Sequence, residues 1–356
     1  MSFNRDIPML GFHTRIGKKE GADAIIRVIE EVLAPKGINT LILEFNPGYK
    51  YECFPEFSNG VFDKEDALRV KEACKKYGIR PVPLFQCLSH QSDFNGKPWP
   101  LYKAHPEFME TPHIPDDARW PDIYCQHWCA SNDDIYDYVF PMIDELIEVF
   151  EAEALHVGLD EVFDIGEDCC PRCAGKDKAM LYARTVKILH DHLAEKGVDM
   201  MIWGDRLLDC KKLGMQMWEA DRFGMYKAFD MEEITRDIII CDWHYDLHDH
   251  GYYSTEQFIK GGFFDVPSFG ADLEQCKHFW GYCMEDLFLS RKYKWPGKLG
   301  GVLFTHWGQM DMESAERLIE GFKAGKDYDP KIMDSGRIGQ VIAVMADSCA
   351  KFRKVY

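Results

Sequence analysis

Leu155-His156-Val157-Gly158-Leu159-Asp160-Glu161-Val162-Phe163-Asp164 is a short apolar run that stops abruptly at two adjacent carboxylates. Read as a buried strand, it delivers Asp160 and Glu161 to the rim of a sheet, where a carboxyl group can give or take a proton beside a substrate. The same pattern also describes a solvated strand end, because acidic residues are common there. The surroundings of the run decide between the two readings.

Upstream, Ile135, Tyr138, Val139, Met142, Ile143, Leu146, Ile147 and Phe150 recur at helical spacing over residues 132–150, with Pro141 inside predicting a kink. Downstream, residues 178–195 read as a helix ended by Gly197, and residues 200–203 as a strand running into Gly204-Asp205. The alternation extends to both ends of the chain. Further strands are expected at 9–13, 40–45, 80–85, 238–243, 263–266 and 301–305, each followed by an amphipathic helical pattern or a loop. Asp63 begins one such helix and Gly78 ends it. Near-continuous apolar strands alternating with helices mean a parallel sheet buried on both faces, and eight such units close a (β/α)8 TIM barrel. The expected organisation is one barrel over residues 1–329 with a C-terminal helical extension, 330–356, packed against it. The connection from Gln86 to Ser131 is long enough to be a lid or binding wall. It carries His90, Trp99, Tyr102, Trp120, Tyr124 and Trp128, which either face a ligand or pack the loop on itself.

Composition narrows the partners. A net charge of −18 repels phosphate backbones and anionic lipid, which argues against nucleic acid and fits a neutral or cationic small substrate. No apolar run approaches the ~18 residues that span a bilayer, and the N-terminus lacks a basic-then-apolar secretory pattern, so the plain reading is cytoplasmic. Thirteen scattered cysteines read as reduced thiols. Cys170-Pro171-Arg172-Cys173 is a lone Cys-x-x-Cys half-site; without a second pair, free thiols are expected and no metal is assigned.

In a barrel of this kind all strand C-termini open on one face. Glu44, His90, Asp160, Glu161, Trp203, Asp205, Trp243, Tyr245, His306 and Trp307 all lie at or just past expected strand ends. Tryptophan rings converging with carboxylates suit a pyranose: its apolar faces stack, its hydroxyls bond, and a carboxylic acid protonates the leaving oxygen. Two adjacent acids seldom straddle a glycosidic bond, whose flanking carboxyls stand ~5 to 9.5 Å apart. They suit a substrate that brings its own nucleophile.

His156-x-Gly158-x-Asp160-Glu161 resembles the His-x-Gly-Gly-Asp-Glu signature of glycoside hydrolase family 20, the β-N-acetylhexosaminidases. The segment Cys129 to Tyr136, a helix and then the signature follow the family's order, and Pro83-Leu84-Phe85-Gln86 leading to Ser89-His90 resembles its third-strand histidine segment. The likeness covers roughly residues 9 to 310 and is nearest the compact hexosaminidase D-like and bacterial branches without the usual N-terminal accessory domain. It implies a retaining exo-β-N-acetylhexosaminidase that needs no cofactor and acts on a small glycan or glycoside with a terminal N-acetylhexosamine. Glu161 would be general acid and then base, and Asp160 would orient the 2-acetamido group whose oxygen attacks the anomeric carbon. His90, Trp203, Trp243, Tyr245, Trp307, Glu44 and Asp205 would bind the sugar or support the pair. Three features depart from the pattern. Leu159 replaces the second signature glycine, the first-strand arginine has no clear counterpart because Arg15 lies beyond the expected strand, and Phe269 stands nearest the pocket tyrosine of the seventh strand. Two alternatives stay open: a non-catalytic glycan-binding barrel, and a metal-dependent hydrolase using His13, His90, His156, His244 and His306.

Overall fold

Period-two alternation sorts the strand residues onto two surfaces. Ile42, Val82, Leu84, Met201, Val266 and Leu303 face one another inside a closed ring, while Leu41, Leu43, Leu155, Ile202, Ile240 and Phe304 face the helices outside. The computed structural model describes residues 3–351 except 46, 59, 93–96, 116, 117, 119 and 330–333. The ring consists of β1 (Met9–Arg15), β2 (Thr40–Glu44), β3 (Arg80–Cys87), β4 (Ala154–Gly158), β5 (Asp199–Trp203), β6 (Ile239–His244) and β7 (Phe264–Phe269). The eighth place is filled by β9 (Gly301–Gln309), preceded by the two-residue β8 (Lys298–Leu299), which pairs with the start of β7. Every pairing is parallel, and β9 bonds both β7 and β1, so the (β/α)8 barrel closes.

Several boundaries move, with consequences for the site. β1 continues past His13 to Arg15, and its register against β9 slips between Thr14 and Arg15, so that Arg15 pairs with Gln309 after Thr14 has paired with His306. Irregularities of this kind re-aim a side chain at a barrel rim. Arg15 therefore ends the first strand, contrary to expectation. β9 runs to Gln309, which puts His306 and Trp307 within it. The helix after the long connection spans Tyr136–Phe150 and continues through Pro141, and Asp63 caps its helix by accepting from the Glu65 and Asp66 amides.

The helix Ser335–Lys351 packs on the helix Met312–Ala324. The expected extension also includes residues 330–333 and 352–356, which lie outside the described residues. The contact depends on small residues: a Cβ on Gly321 would overlap the Gly336 backbone, and one on Gly339 would overlap the Leu318 carbonyl. A Gly321→Val substitution forces the helices apart and is expected to cost about 1–3 kcal/mol, read as a lower urea midpoint with an unchanged m-value.

Candidate active site

The turn after β4 decides where the acids go. Gly158, Leu159 and Glu161 all adopt left-handed backbone conformations, with φ of 69°, 70° and 50°. At Gly158 the reason is steric, because a Cβ would collide with the Gln86 side chain. Leu159 takes the same conformation without being glycine, at a cost of roughly 1–2 kcal/mol. Its side chain is fully buried in the shell between barrel and helices, where burial returns more than that cost. The chain thus reaches the geometry that glycine would allow and anchors it by packing.

Beyond this turn the Asp160 side chain is buried and that of Glu161 is nearly so, and both face His90, whose Nε2 lies 3.3 Å from Asp160 Oδ2 and 3.4 Å from Glu161 Oε2. Although burial disfavours the charged ring, Cys125 and Asp160 hold the His90 imidazole well above its ordinary range. The Tyr124 hydroxyl donates to Glu161 Oε2 at 2.7 Å. Asp160 Oδ1 is buried in the cavity wall with no hydrogen-bond donor among the described residues.

These groups open on a cavity of about 470 Å³ at the C-terminal mouth of the barrel, lined also by Arg15, Glu44, Trp99, Trp218, Trp243 and Trp307. Arg15 Nε lies 3.3 Å from Glu44 Oε1, and His13 Nε2 lies 3.4 Å from Glu44 Oε2. Burial alone would raise Glu44, but Arg15 and His13 bring it below the usual carboxylate range. Arg15, at the end of β1, thus places an arginine in the cavity wall beside Glu44. Tyr245, from the end of β6, accepts the Trp307 indole N–H at 2.8 Å, and its ring lies 5.1 Å from that of Trp243. It fits because Gly270, just past β7, has no side chain: a Cβ there would stand 2.7 Å from Tyr245 Cδ1. Phe269 is buried in the shell outside the barrel and does not line the cavity.

Two expected sugar-binding residues sit elsewhere. Trp203 is fully buried inside the barrel, its ring 5.4 Å from Trp307 and 4.5 Å from His156, and it does not line the cavity. It is packing beneath the cup, because its place in the strand alternation points it inward one layer down. Asp205 is buried behind the wall, where it accepts from the Glu161 amide at 2.9 Å, Arg206 Nε at 2.6 Å and the Trp243 indole at 3.2 Å. Burial raises its carboxyl against the pull of Arg206, and the charge of Asp160 adds to the rise.

The long connection divides between the two readings offered for it. His90, Trp99 and Tyr124 line the cavity, Tyr102 and Trp128 are buried in the packing, and Trp120 is exposed against Trp218 at 5.7 Å. Trp218 and Glu219, on the β5–β6 connection, also line the cavity, and two adjacent residues in an aperiodic loop give no sequence pattern to read. The five histidines do not converge on one point either. His306 bonds Thr14 and Ser335, and His244 bonds Ser254 beside Glu219 and Asp242. Among the described residues no group of potential ligands joins any two of the five, so the observed arrangement does not supply the metal centre of the third reading.

An acid pair at the tip of the fourth strand, in an aromatic cup at the mouth of a parallel barrel, defines a glycosidase type of site. The catalytic-domain model of glycosyl hydrolase family 20 matches residues 42–275, and the chain belongs to that family. The match leaves out β1 and β9, so Arg15 and Trp307 are placed by the fold alone. Beta-hexosaminidase A of Caenorhabditis briggsae is 28% identical over 131 residues, which are 35% of this chain and 22% of that protein. The chain thus aligns with under a quarter of that curated relative. Among solved structures, a beta-N-acetylhexosaminidase from Bacteroides fragilis aligns at TM-score 0.60 and 14% identity over 94% of this chain and 66% of the other. A Vibrio harveyi GH20 exo beta-N-acetylglucosaminidase, solved with N-acetylglucosamine, aligns at 0.64 and 13% over 94% and 54%. These two likenesses are in the fold.

Replacing Leu159 by Gly removes the backbone cost but deletes a buried side chain worth about 2–5 kcal/mol. The variant is expected to be less stable by about 1–3 kcal/mol in chemical denaturation, the packing loss exceeding the strain relieved. A second expectation concerns Glu219. Burial alone would raise it, but His244 and His248 hold it down at about 2. Burial works against charge on His244, yet Asp242 and Glu219 hold it up at about 10. Stabilisation through His244 is complete below its ordinary 6.5 and is lost as pH rises through about 10. That through Glu219 is complete above 4.5 and is lost as pH falls through about 2. Melting temperature should therefore fall on both sides of the pH 4.5–6.5 window. Glu219→Gln should lower the plateau by about 3 kcal/mol, since it strands buried histidine charge, and should flatten the acid limb.

Proposed function

We propose that the protein is a retaining exo-β-N-acetylhexosaminidase in which the substrate's own 2-acetamido oxygen is the nucleophile. The observation that carries this reading is the placement of the two acids side by side. One oxygen of each lies within 4.8 Å of the other and of the same His90 nitrogen, on one wall of the cavity. Two further buried acids of the cavity already have basic side chains as partners, Glu44 beside Arg15 and His13, and Glu219 beside His244 and His248. Adjacent acids on one wall leave the opposite face of the anomeric carbon to a nucleophile from elsewhere.

Glu161, held through one oxygen by Tyr124, donates its proton to the glycosidic oxygen as the bond to the anomeric carbon breaks. The acetamido carbonyl oxygen bonds to that carbon from the opposite face. Asp160 accepts the acetamido N–H, and its charge offsets the positive charge that spreads over the forming oxazolinium ring. Water then adds to the anomeric carbon, giving a proton back to Glu161, and two inversions yield retention. Trp243, Trp307 and Tyr245 offer faces for the ring, and Arg15 with Glu44 offers a donor and acceptor for its hydroxyls.

The expected outcome is hydrolysis of nitrophenyl β-N-acetylglucosaminide or its galacto epimer, with inhibition by a thiazoline that imitates the oxazolinium. Glu161→Gln should lower kcat by roughly 10²–10⁴ on substrates with poor leaving groups, with KM little changed. Asp160→Asn should cost about 10²–10³ on N-acetylated substrates. Parent rates in both variants would remove the assignment. Sugar binding without turnover in the parent would make the barrel a glycan-binding protein instead.

A further inference from the structure

Beneath the loops that form the acid wall lies a second cluster of reactive side chains that the glycosidase chemistry does not use. Cys129 ends the long connection after β3, Glu110 comes from its middle, and Cys170 and Cys173 come from the loop after β4. The Cys129 sulfur is 3.5 Å from that of Cys170 and 3.4 Å from that of Cys173. One donor atom from each of the four residues lies within 4.8 Å of all the others, and all four residues are buried. Glu110 accepts the Glu167 amide on Oε1, while its buried Oε2 has no hydrogen-bond partner among the described residues. A tight turn, in which the Cys173 and Ala174 amides both donate to the Cys170 carbonyl, brings the two sulfurs of the Cys-x-x-Cys together.

We propose that Cys129, Cys170, Cys173 and Glu110 form a structural zinc site that clamps the two loops together. The second half of the ligand set, absent from the sequence as a motif, is supplied by two residues that the fold brings in from the other loop. Three thiolates and a carboxylate are a closed tetrahedral donor set, and Zn–S bonds near 2.3 Å place sulfur pairs ~3.8 Å apart. The sulfur separations here are close to that edge and far longer than a ~2.05 Å disulfide. The three thiolates and carboxylate around a dication would leave negative charge, and a cation is near: Lys176 Nζ donates to Ser131 Oγ at 3.0 Å, and that oxygen is 3.4 Å from the Cys173 sulfur. The clamp would act on the active site through a short path. Two residues before Cys129, His127 stands with Nε2 3.3 Å from the Glu161 carbonyl and accepts the Phe163 amide, and its own carbonyl accepts the Glu110 amide. These four residues are therefore positioning groups for the acid wall and do not touch substrate.

The test is metal analysis of the full chain, purified in reducing buffer with zinc and then desalted. One zinc per chain is expected, with at least about a tenfold loss in a Cys129→Ser, Cys173→Ser double variant. Cys169→Ser, at an exposed cysteine outside the set, and His248→Gln, at the Glu219–His244–His248 cluster, should keep it. Stripping zinc with a mercurial thiol reagent and then reducing should lower the melting temperature of the parent chain, and readding zinc should restore it. Cobalt loaded in its place should show thiolate-to-cobalt charge-transfer bands, a readout that needs no variant should the double variant fail to fold. A parent chain without zinc, zinc kept by the double variant, cobalt without thiolate bands, or a disulfide between any two of the three cysteines in non-reducing peptide maps would each overturn the proposal. Metal content is independent of turnover, so a zinc-loaded chain that hydrolyses nothing would count against the glycosidase reading and not against the clamp.

Discussion

A buried carboxylate is costly unless it is paired and hydrogen-bonded, and Asp205 finds its partners at the ends of three successive strands. It accepts the backbone N–H of Glu161 after β4, the guanidinium of its own neighbour Arg206 after β5, and the indole of Trp243 on β6. Arg206 in turn donates to the Met217 and Trp218 carbonyls. One anion thus fixes the catalytic candidate's backbone, one aromatic wall and the loop that supplies another. The position of Glu161 is a property of this joint as much as of the strand it follows.

The joint also accounts for the backbone conformations beside it. A strand that continued straight past Gly158 would carry Asp160 and Glu161 to alternate faces. Left-handed residues at 158, 159 and 161 break the alternation, so both acids reach the same histidine. Such conformations persist where surrounding contacts over-determine them. Here those contacts are the buried Leu159 side chain on one side and the hydrogen bond that the Glu161 amide donates to Asp205 on the other.

Parallel strands buried on both faces announce themselves as apolar runs, which is why the barrel, the acid pair and the rim residues His90, Trp243, Tyr245, Trp307 and Glu44 are legible in the sequence. What stayed hidden depended on register or on distance along the chain. Arg15 was lost because an irregularity against β9 carries the first strand two residues further than its apolar run. Trp203 was misplaced because one layer of strand alternation separates a cup lining from the packing beneath it. Trp218 and Glu219 sit in a loop without periodicity. Cys129 and Glu110 meet Cys170 and Cys173 only after two long connections fold against each other, and no local pattern encodes that meeting.

The charges around the cavity are arranged in pairs. The chain is strongly acidic, and an unpaired cluster of carboxylates in the cup would repel one another and trap cations. The structure avoids this by giving each buried acid of the cavity its own fixed partner: Arg15 and His13 for Glu44, His244 and His248 for Glu219, His90 for Asp160 and Glu161. Each of these acids therefore lies beside a basic side chain within an acidic protein. Asp160 meets His90 through Oδ2, and its Oδ1 has no donor among the described residues.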